Sequence, residues 1–339
     1  MDQKIIVALD AMGGDLAPVE TVKGAVDAVK EMNVLVKLVG REEDVNRELA
    51  KYTYPKEKIE VVNAEEVIST DEVPTMAIRK KKNSSMVVGM QLVKNGEADA
   101  FVSAGSTGAL LTGSLLIVGR LPGVERPVLG TCLPTKNGFT FLVDSGANVD
   151  CKAKYLEQFG KMGSVYVENV FGKKNPSVAL VNIGAEKEKG DSLTKEAYEL
   201  LEVSDLNFVG NIEPRDVPNG EVDVVVCDGF TGNVILKLTE GVAKMLLGML
   251  KQMFLANFGG KIAYLLLKGG VSDLKHQMDS EEYGGAPFLG AKQPVIKAHG
   301  SSKAKGIKNA IRQAKICVEN DLCGTMQSAL DELTTSQAD

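Results

Sequence analysis

Five strand-like apolar runs in this 339-residue chain end in glycine-rich polar turns: DAMGGD (10–15), SAGSTGA (103–109), DSGAN (144–148), NIGAEKEKG (182–190) and DGFTGN (228–233). Turns of this composition leave main-chain N–H groups unhindered by side chains, which suits a small anion or a carbonyl oxygen. Their repetition predicts that such groups converge on one edge of a sheet. The side chains interleaved with them are donors, amides and a few ionic groups: Asp10, Asp15, Ser103, Ser106, Thr107, Asn148, Asn182, Lys187, Lys189, Asn211, Arg215, Asp228, Thr231 and Asn233. SAGSTGALLTG is the strongest single candidate, because Gly105, Ser106, Thr107 and Gly108 fall where a helix would begin with its free N–H groups outward. An ordinary strand-to-helix turn fits the same residues equally well. DGFTGNVILKLTEG repeats the design, with Thr231 placed to cap a helix and Lys237 one to two turns inside it. Asp10 and Asp228 can also serve simply to fix their turns through side-chain hydrogen bonds. His299, in VIKAHGSSKAKG, again precedes an amphipathic stretch, although a lone histidine is more often structural.

Other chemistries lack their signatures. His276 and His299 are the only histidines, GxSxG is absent, and acyl-enzyme catalysis is disfavoured. There is no GxGxxG after the first strand, no GxxxxGK[ST] and no HExxH, so no nucleotide cofactor and no metal is expected. The five cysteines, Cys132, Cys151, Cys227, Cys317 and Cys323, have no ligand spacing and read as free thiols in a reducing compartment. A net charge of −6, 5% aromatic residues and no Trp argue against a nucleic-acid partner. The start, KIIVALD, enters a strand at once without the pattern of an export signal.

The elements that must carry these turns alternate. Strands are expected at 5–9, 34–39, 59–62, 100–103, 178–183, 207–211 and 222–227, with helices at 19–32, 84–96 and 191–203 between them. The alternation predicts an α/β protein with a mainly parallel sheet and helices on both faces, and ligands of such sheets bind beyond the strands' carboxyl ends. One large domain over 1–339 is expected, with residues 334–339 as a frayed tail. From Thr239 to Gly270 the chain has helical spacing and a wide apolar face, including Val242, Leu246, Met249, Leu250 and Met253. Lys251, Gln252 and Asn257 interrupt it, so it should not span a bilayer. A core or dimer-interface helix fits this segment; so does a helical hairpin protruding over 239–282 and resting on a membrane surface. Arg79, Lys80, Lys81 and Lys82 form the sole dense basic cluster, usually a solvated face but suited to an acidic partner.

Taken in order, DAMGGDLAP (10–18), DEVPTMAIRKKKNSSM (71–86), SAGSTGAL (103–110), DSGANVD (144–150), NIGAEKEKG (182–190), GNIEPRDV (210–217), DVVVCDGFTGNVILKLTEG (223–241) and YGGAPFLG with HGSS (283–290, 299–302) resemble the bacterial phosphate acyltransferase family. The resemblance covers nearly the whole chain. Leu16 and Ser106 depart from it, where His and Asn are usual. It implies a three-layer α/β/α, Rossmann-like fold similar to isocitrate and isopropylmalate dehydrogenases and phosphotransacetylases. It also implies acyl transfer from fatty acyl-[acyl-carrier protein] to inorganic phosphate at the start of phospholipid synthesis, without a cofactor. By this resemblance Lys187, Lys189, His299 and Asn233 supply charge or donors. Gly13, Gly14, Ser103, Gly105, Ser106, Thr107, Gly108, Asn148, Asn182, Asp228, Gly229, Thr231 and Gly232 hold phosphate. Arg79 to Lys82 would dock the carrier protein, and Phe254, Leu255, Phe258, Tyr264, Leu265 and Leu266 would touch the membrane. A homodimer in the cytoplasm, bound to the inner face of the membrane and passing product to a membrane glycerol-3-phosphate acyltransferase, completes the expectation. A coenzyme A-dependent phosphotransacetylase and a non-catalytic carrier-protein scaffold are the competing readings.

Overall fold

The computed structural model describes residues 4–278 and 280–336. Strands β1 (Ile5–Asp10), β2 (Val34–Gly40), β3 (Ile59–Asn63), β4 (Ala100–Ser103), β5 (Val128–Thr135), β6 (Gly138–Val143), β7 (Val178–Val181), β8 (Phe208–Ile212), β9 (Val224–Val226), β10 (Ala286–Leu289) and β11 (Val295–Lys297) form one 11-stranded sheet. Their order is β3-β2-β1-β4-β11-β10-β5-β6-β9-β7-β8. The helices are α1 (Val19–Glu31), α2 (Glu42–Leu49), α3 (Pro74–Lys80), α4 (Ser85–Lys94), α5 (Thr107–Gly113), α6 (Ala153–Phe171), α7 (Ser192–Glu202), α8 (Gly229–Leu255), α9 (Phe258–Gln277), α10 (Ala304–Glu319) and α11 (Leu322–Ser336). The tail expected at 334–339 thus begins inside α11, and residues 337–339 lie outside the described ones.

β4, β7 and β9 are buried at every position, the burial that helices on both faces of a sheet impose on continuous apolar runs. α1 and α10 pack closely at Gly24, where an added Cβ would lie 2.6 Å from the Ile307 Cβ. α6 lays Tyr166 over Phe141 of β6, ring centroids 4.5 Å apart, and Gln313 of α10 donates to the Tyr166 hydroxyl at 2.7 Å. At the start of α7, Asp191 accepts the Thr194 N–H at 2.9 Å, as its N-cap position predicts.

Strand direction divides the sheet. β3, β2, β1, β4 and β11 are mutually parallel; β10 opposes β11, β5 opposes β10, and β6 opposes β5. β9, β7 and β8 then run parallel to β6. The carboxyl ends of β1 and β4 therefore point opposite to those of β6, β7 and β9, and the expectation of five turns on one edge is corrected. A lengthwise stagger brings the ends together instead. Ser103 pairs with Lys297, Lys297 with Ala286, Phe288 with Leu129, and Gly130 with Val143, so the ends of β4, β11 and β6 meet at one level near the sheet's centre.

α8 and α9 leave this body as a hairpin. Gly229, Gly232 and Phe254 are the buried residues of α8, and no residue of α9 is buried. Asn257 turns the chain between them by accepting the Gly260 N–H at 2.8 Å, and Gln277 at the end of α9 returns to donate to the Thr135 carbonyl at 3.0 Å. At 1.5 Å per residue, α8 reaches roughly 40 Å. No described helix is long and apolar enough to cross a bilayer.

Candidate active site

The first, second and HGSS turns form one cluster. Ser103 donates to the Asp10 carboxylate at 2.7 Å and accepts the Gly105 N–H at 3.0 Å, which fixes β4 to β1 at their ends. Asp10 is buried, and burial pushes its pKa up against hydrogen bonds from Ser85, Ser103, Met12 and Gly13 that lower it. Gly13 has no room for a side chain, since an added Cβ would lie 2.8 Å from the Gly105 nitrogen. Gly14, at φ +101°, sits against Ala104 and the Gly300 carbonyl, which also accepts the Asp15 N–H at 2.8 Å. Ser106 caps α5 through the Ala109 N–H, and Gly108 lies against Pro74 of α3. The N–H groups of Thr107 and Gly108 precede the first hydrogen bond within α5, from Leu110 to the Ser106 carbonyl.

A second cluster joins the ends of β6 and β9. Asp144, fully buried, accepts the N–H groups of Gly146, Ala147 and Asn148 at 2.9, 2.9 and 2.6 Å, and the Asn148 side-chain amide at 2.8 Å. Burial raises its pKa and these donors oppose the rise. The amides of this turn, including those of Asn148, are thus committed to a carboxylate of the chain itself. Asp228 caps α8, accepting from the Thr231 N–H at 2.9 Å and the Thr231 hydroxyl at 2.6 Å. Gly229 donates to the Asn148 carbonyl at 2.7 Å, and Gly232 lies so close to the Asp144 carbonyl that a Cβ would overlap it.

Between the clusters lies a cavity of about 390 Å³. Thr107 enters it from the α5 turn, Ser145 and Gly146 from the β6 turn, Asn233, Lys237 and Glu240 from α8, and Lys297, His299, Gly300 and Ser302 from β11 and its turn. Its apolar part is Leu129, Cys132, Phe141, Tyr166, Leu236 and Pro287. Lys237 is paired with Glu240 at 3.0 Å. His299 is exposed, and its Nδ1 accepts the Ser301 N–H at 3.2 Å, so the neutral ring carries its proton on Nε2. Lys297 is different: its Nζ donates to the carbonyls of Ala104 at 3.1 Å and Ala298 at 2.5 Å, and burial depresses its pKa to about 8 against the attraction of Asp10 and Asp15.

The expected residues divide accordingly. Thr107, Asn233 and His299 line the cavity; Gly13, Gly14, Ser103, Gly105, Ser106, Gly108, Asn148, Asp228, Gly229, Thr231 and Gly232 build its walls. Asn182, Lys187 and Lys189 do not join it. β7 stands two strands from β6, about 10 Å away, and its turn folds toward β8 and α7. There Lys187 pairs with Glu202 over the Tyr198 ring, and Asn182 is occupied by the Ile183 N–H and the Lys189 carbonyl. Sequence reading missed Lys297 and Ser145. The available signal for Lys297 was a lysine closing a short apolar strand directly before HGSS.

The basic cluster flanks the site through α3, whose Pro74 touches Gly108. Arg79, Lys80 and Lys82 are exposed, whereas Lys81 is tied to Glu72 at 2.7 Å and to the Val67 carbonyl. On the hairpin, Phe258, Leu265 and Leu266 are 77%, 72% and 80% exposed, and Leu255 and Tyr264 are exposed as well. Phe254, 7% exposed, packs against Tyr264 with centroids 5.5 Å apart.

The fold is shared with phosphotransacetylases and 4-hydroxythreonine-4-phosphate dehydrogenases. A phosphotransacetylase from Streptococcus pyogenes aligns over 98% of this chain and 95% of its own, with 18% identity and a TM-score of 0.60. A 4-hydroxythreonine-4-phosphate dehydrogenase from Klebsiella pneumoniae aligns over 93% of this chain and all of its own, with 15% identity and a TM-score of 0.55. These likenesses define the class of fold. The profile of a family described as "Fatty acid synthesis protein" matches residues 5–325, and a phosphate acyltransferase of Clostridium botulinum is 54% identical over 97% of this chain and 98% of its own. The chain belongs to the phosphate acyltransferase family and is an acyltransferase.

Proposed function

We propose that the chain transfers a fatty acyl group from acyl carrier protein to inorganic phosphate, releasing acyl phosphate and free carrier protein for phospholipid synthesis. The observation that carries this reading is a cavity in which Lys237, Lys297 and His299 face hydrogen-bonding Thr107 and Asn233, with an apolar floor beside them. Phosphate near neutral pH is already an anionic oxygen nucleophile, so no side chain has to become acylated. What the reaction needs is alignment of that oxygen with the thioester carbon and positive charge where the carbonyl oxygen becomes anionic. Lys237 supplies the charge, Thr107, Asn233 and the His299 ring N–H orient the phosphate, and the acyl chain lies along Leu129, Cys132, Phe141 and Tyr166. Asn182, Lys187 and Lys189 have no part in this reading.

The carrier protein, acidic by the same reading, docks on Arg79, Lys80 and Lys82 beside the α5 turn. Exposed apolar residues along α8 and α9 support two further roles: pairing with a second copy along the hairpin's length, and contact of its tip with the inner face of the cell membrane, where a glycerol-3-phosphate acyltransferase takes the product. Phe254 acts inside the hairpin and not in lipid.

The test is incubation with acyl-carrier protein or acyl-coenzyme A, with and without phosphate, and trapping with hydroxylamine. Phosphate-dependent hydroxamate from the carrier-protein ester is expected. Product that forms equally without phosphate sinks the proposal, and product from the coenzyme A ester alone replaces the donor.

A further inference from the structure

We propose that Lys297 is the general acid of this acyl transfer, protonating the thiol sulfur as the carbon–sulfur bond breaks; the role rests on the reaction proposed above. Lys297 closes β11, and its side chain reaches the cavity where the ends of β4, β11 and β6 meet. Two of its three N–H bonds are directed by the Ala104 and Ala298 carbonyls, which leaves one for the cavity. No carboxylate lies within ion-pairing distance of its Nζ among the described residues, in contrast to Lys237 with Glu240 and Lys187 with Glu202. Neutral carbonyls in a half-buried place hold an ammonium in position without locking its proton on, as an ion pair does.

The groups facing Lys297 are Asp10 at the end of β1, Asp15 in the first turn, Lys237 on α8 and His299 on its own turn. The two acids keep it cationic below its depressed pKa of about 8, and burial lets the proton go. A carrier thiol leaves with a pKa near ~8.5, so donor and leaving group are matched, the condition under which general acid catalysis works best. Lys237 is bound to Glu240 and His299 is open to water, so neither shares this environment.

The step balances without an outside proton. An oxygen of the hydrogen phosphate dianion forms a bond to the carbonyl carbon. The carbon–sulfur bond breaks with its electron pair going to sulfur, and sulfur takes a proton from Nζ. The neutral amine then recovers the proton that the phosphate brought in. The products are the acyl phosphate dianion and the free thiol.

The experiment compares K297M, K297R and wild type on one acyl group carried by two thiols, pantetheine and nitrothiophenol, the latter leaving as a stable anion without protonation. K297M and K297R are expected to lose about 100-fold in kcat on the pantetheine ester and to stay within a few-fold of wild type on the nitrothiophenyl ester, with half-saturation by phosphate unchanged. The wild-type rate on pantetheine should fall as pH rises through about 8, and both variants should lack that limb. Equal loss on the two esters, or activity kept by K297R, whose guanidinium holds its proton, overturns the role. Because K297R keeps the positive charge, it also decides the matter should K297M prove unstable. A wild-type enzyme that yields no phosphate-dependent product from either ester removes the acyl-transfer reading itself, and this role with it.

Discussion

Asp144 illustrates how far a glycine turn's chemistry depends on who already uses its amides. Three main-chain N–H groups and one side-chain amide converge on this buried carboxylate, so the DSGAN turn is a scaffold for Ser145 and Gly146 and not an anion trap. Asp144→Ala strands those donors in a buried place. With about 1–3 kcal/mol for each donor left unsatisfied, a loss of about 3 kcal/mol or more in urea unfolding is expected, together with loss of activity. A loss below about 1 kcal/mol would mean that solvent reaches the turn. Some residues around the cavity were legible in the sequence as polar candidates: Thr107, Asn233 and His299 line it. Hydrogen-bond accounting was not, because nothing in DSGAN tells whether Asp144 faces its own turn or a ligand. Lys297 escaped notice for a related reason. A strand lysine ordinarily points to water, and nothing in VIKAHGSS tells that this one faces a cavity.

At the scale of elements, β1 to β4 and β7 to β9 with α1, α4 and α7 were readable, since buried β-branched runs and amphipathic stretches alternate there. The antiparallel centre was not. β5 and β6 carry Gly, Pro and Thr and are joined by Lys136 and Asn137 alone, so they lack both the composition and the intervening helix of the other strands. Missing them hid the reversal of strand direction, and with it the separation of the 182–190 turn from the site. α3 was read only as a charge run, yet its Pro74 rests on Gly108, with Arg79 and Lys80 in its last turn and Lys82 just beyond it. Changing these three to Glu is expected to raise KM for acyl-carrier protein more than about tenfold at low salt, with the effect shrinking as salt screens it. Turnover of a pantetheine ester should be unaffected. Equal effects on both donors would remove the docking role.

Across the whole molecule, the site and the hairpin are one covalent piece, since the helix that begins at the Asp228 cap with Asn233 and Lys237 in the cavity continues outward to Leu255. If the hairpin tip meets lipid, Phe258→Asp with Leu265→Asp and Leu266→Asp will abolish co-sedimentation with anionic vesicles. Hydroxamate formation in solution should stay near the wild-type rate. Vesicle binding that survives all three changes would refute contact through the tip. The sheet's order carries a further consequence, for the newborn chain. β11 slots in between β4 and β10, and α10 covers α1, so the layer begun by the first hundred residues stays open-sided until β11 and α10 emerge from the ribosome. The half built from β5 to β9 is contiguous along the chain and can close earlier, leaving the amino-terminal portion to wait, exposed to chaperones, for its final strand.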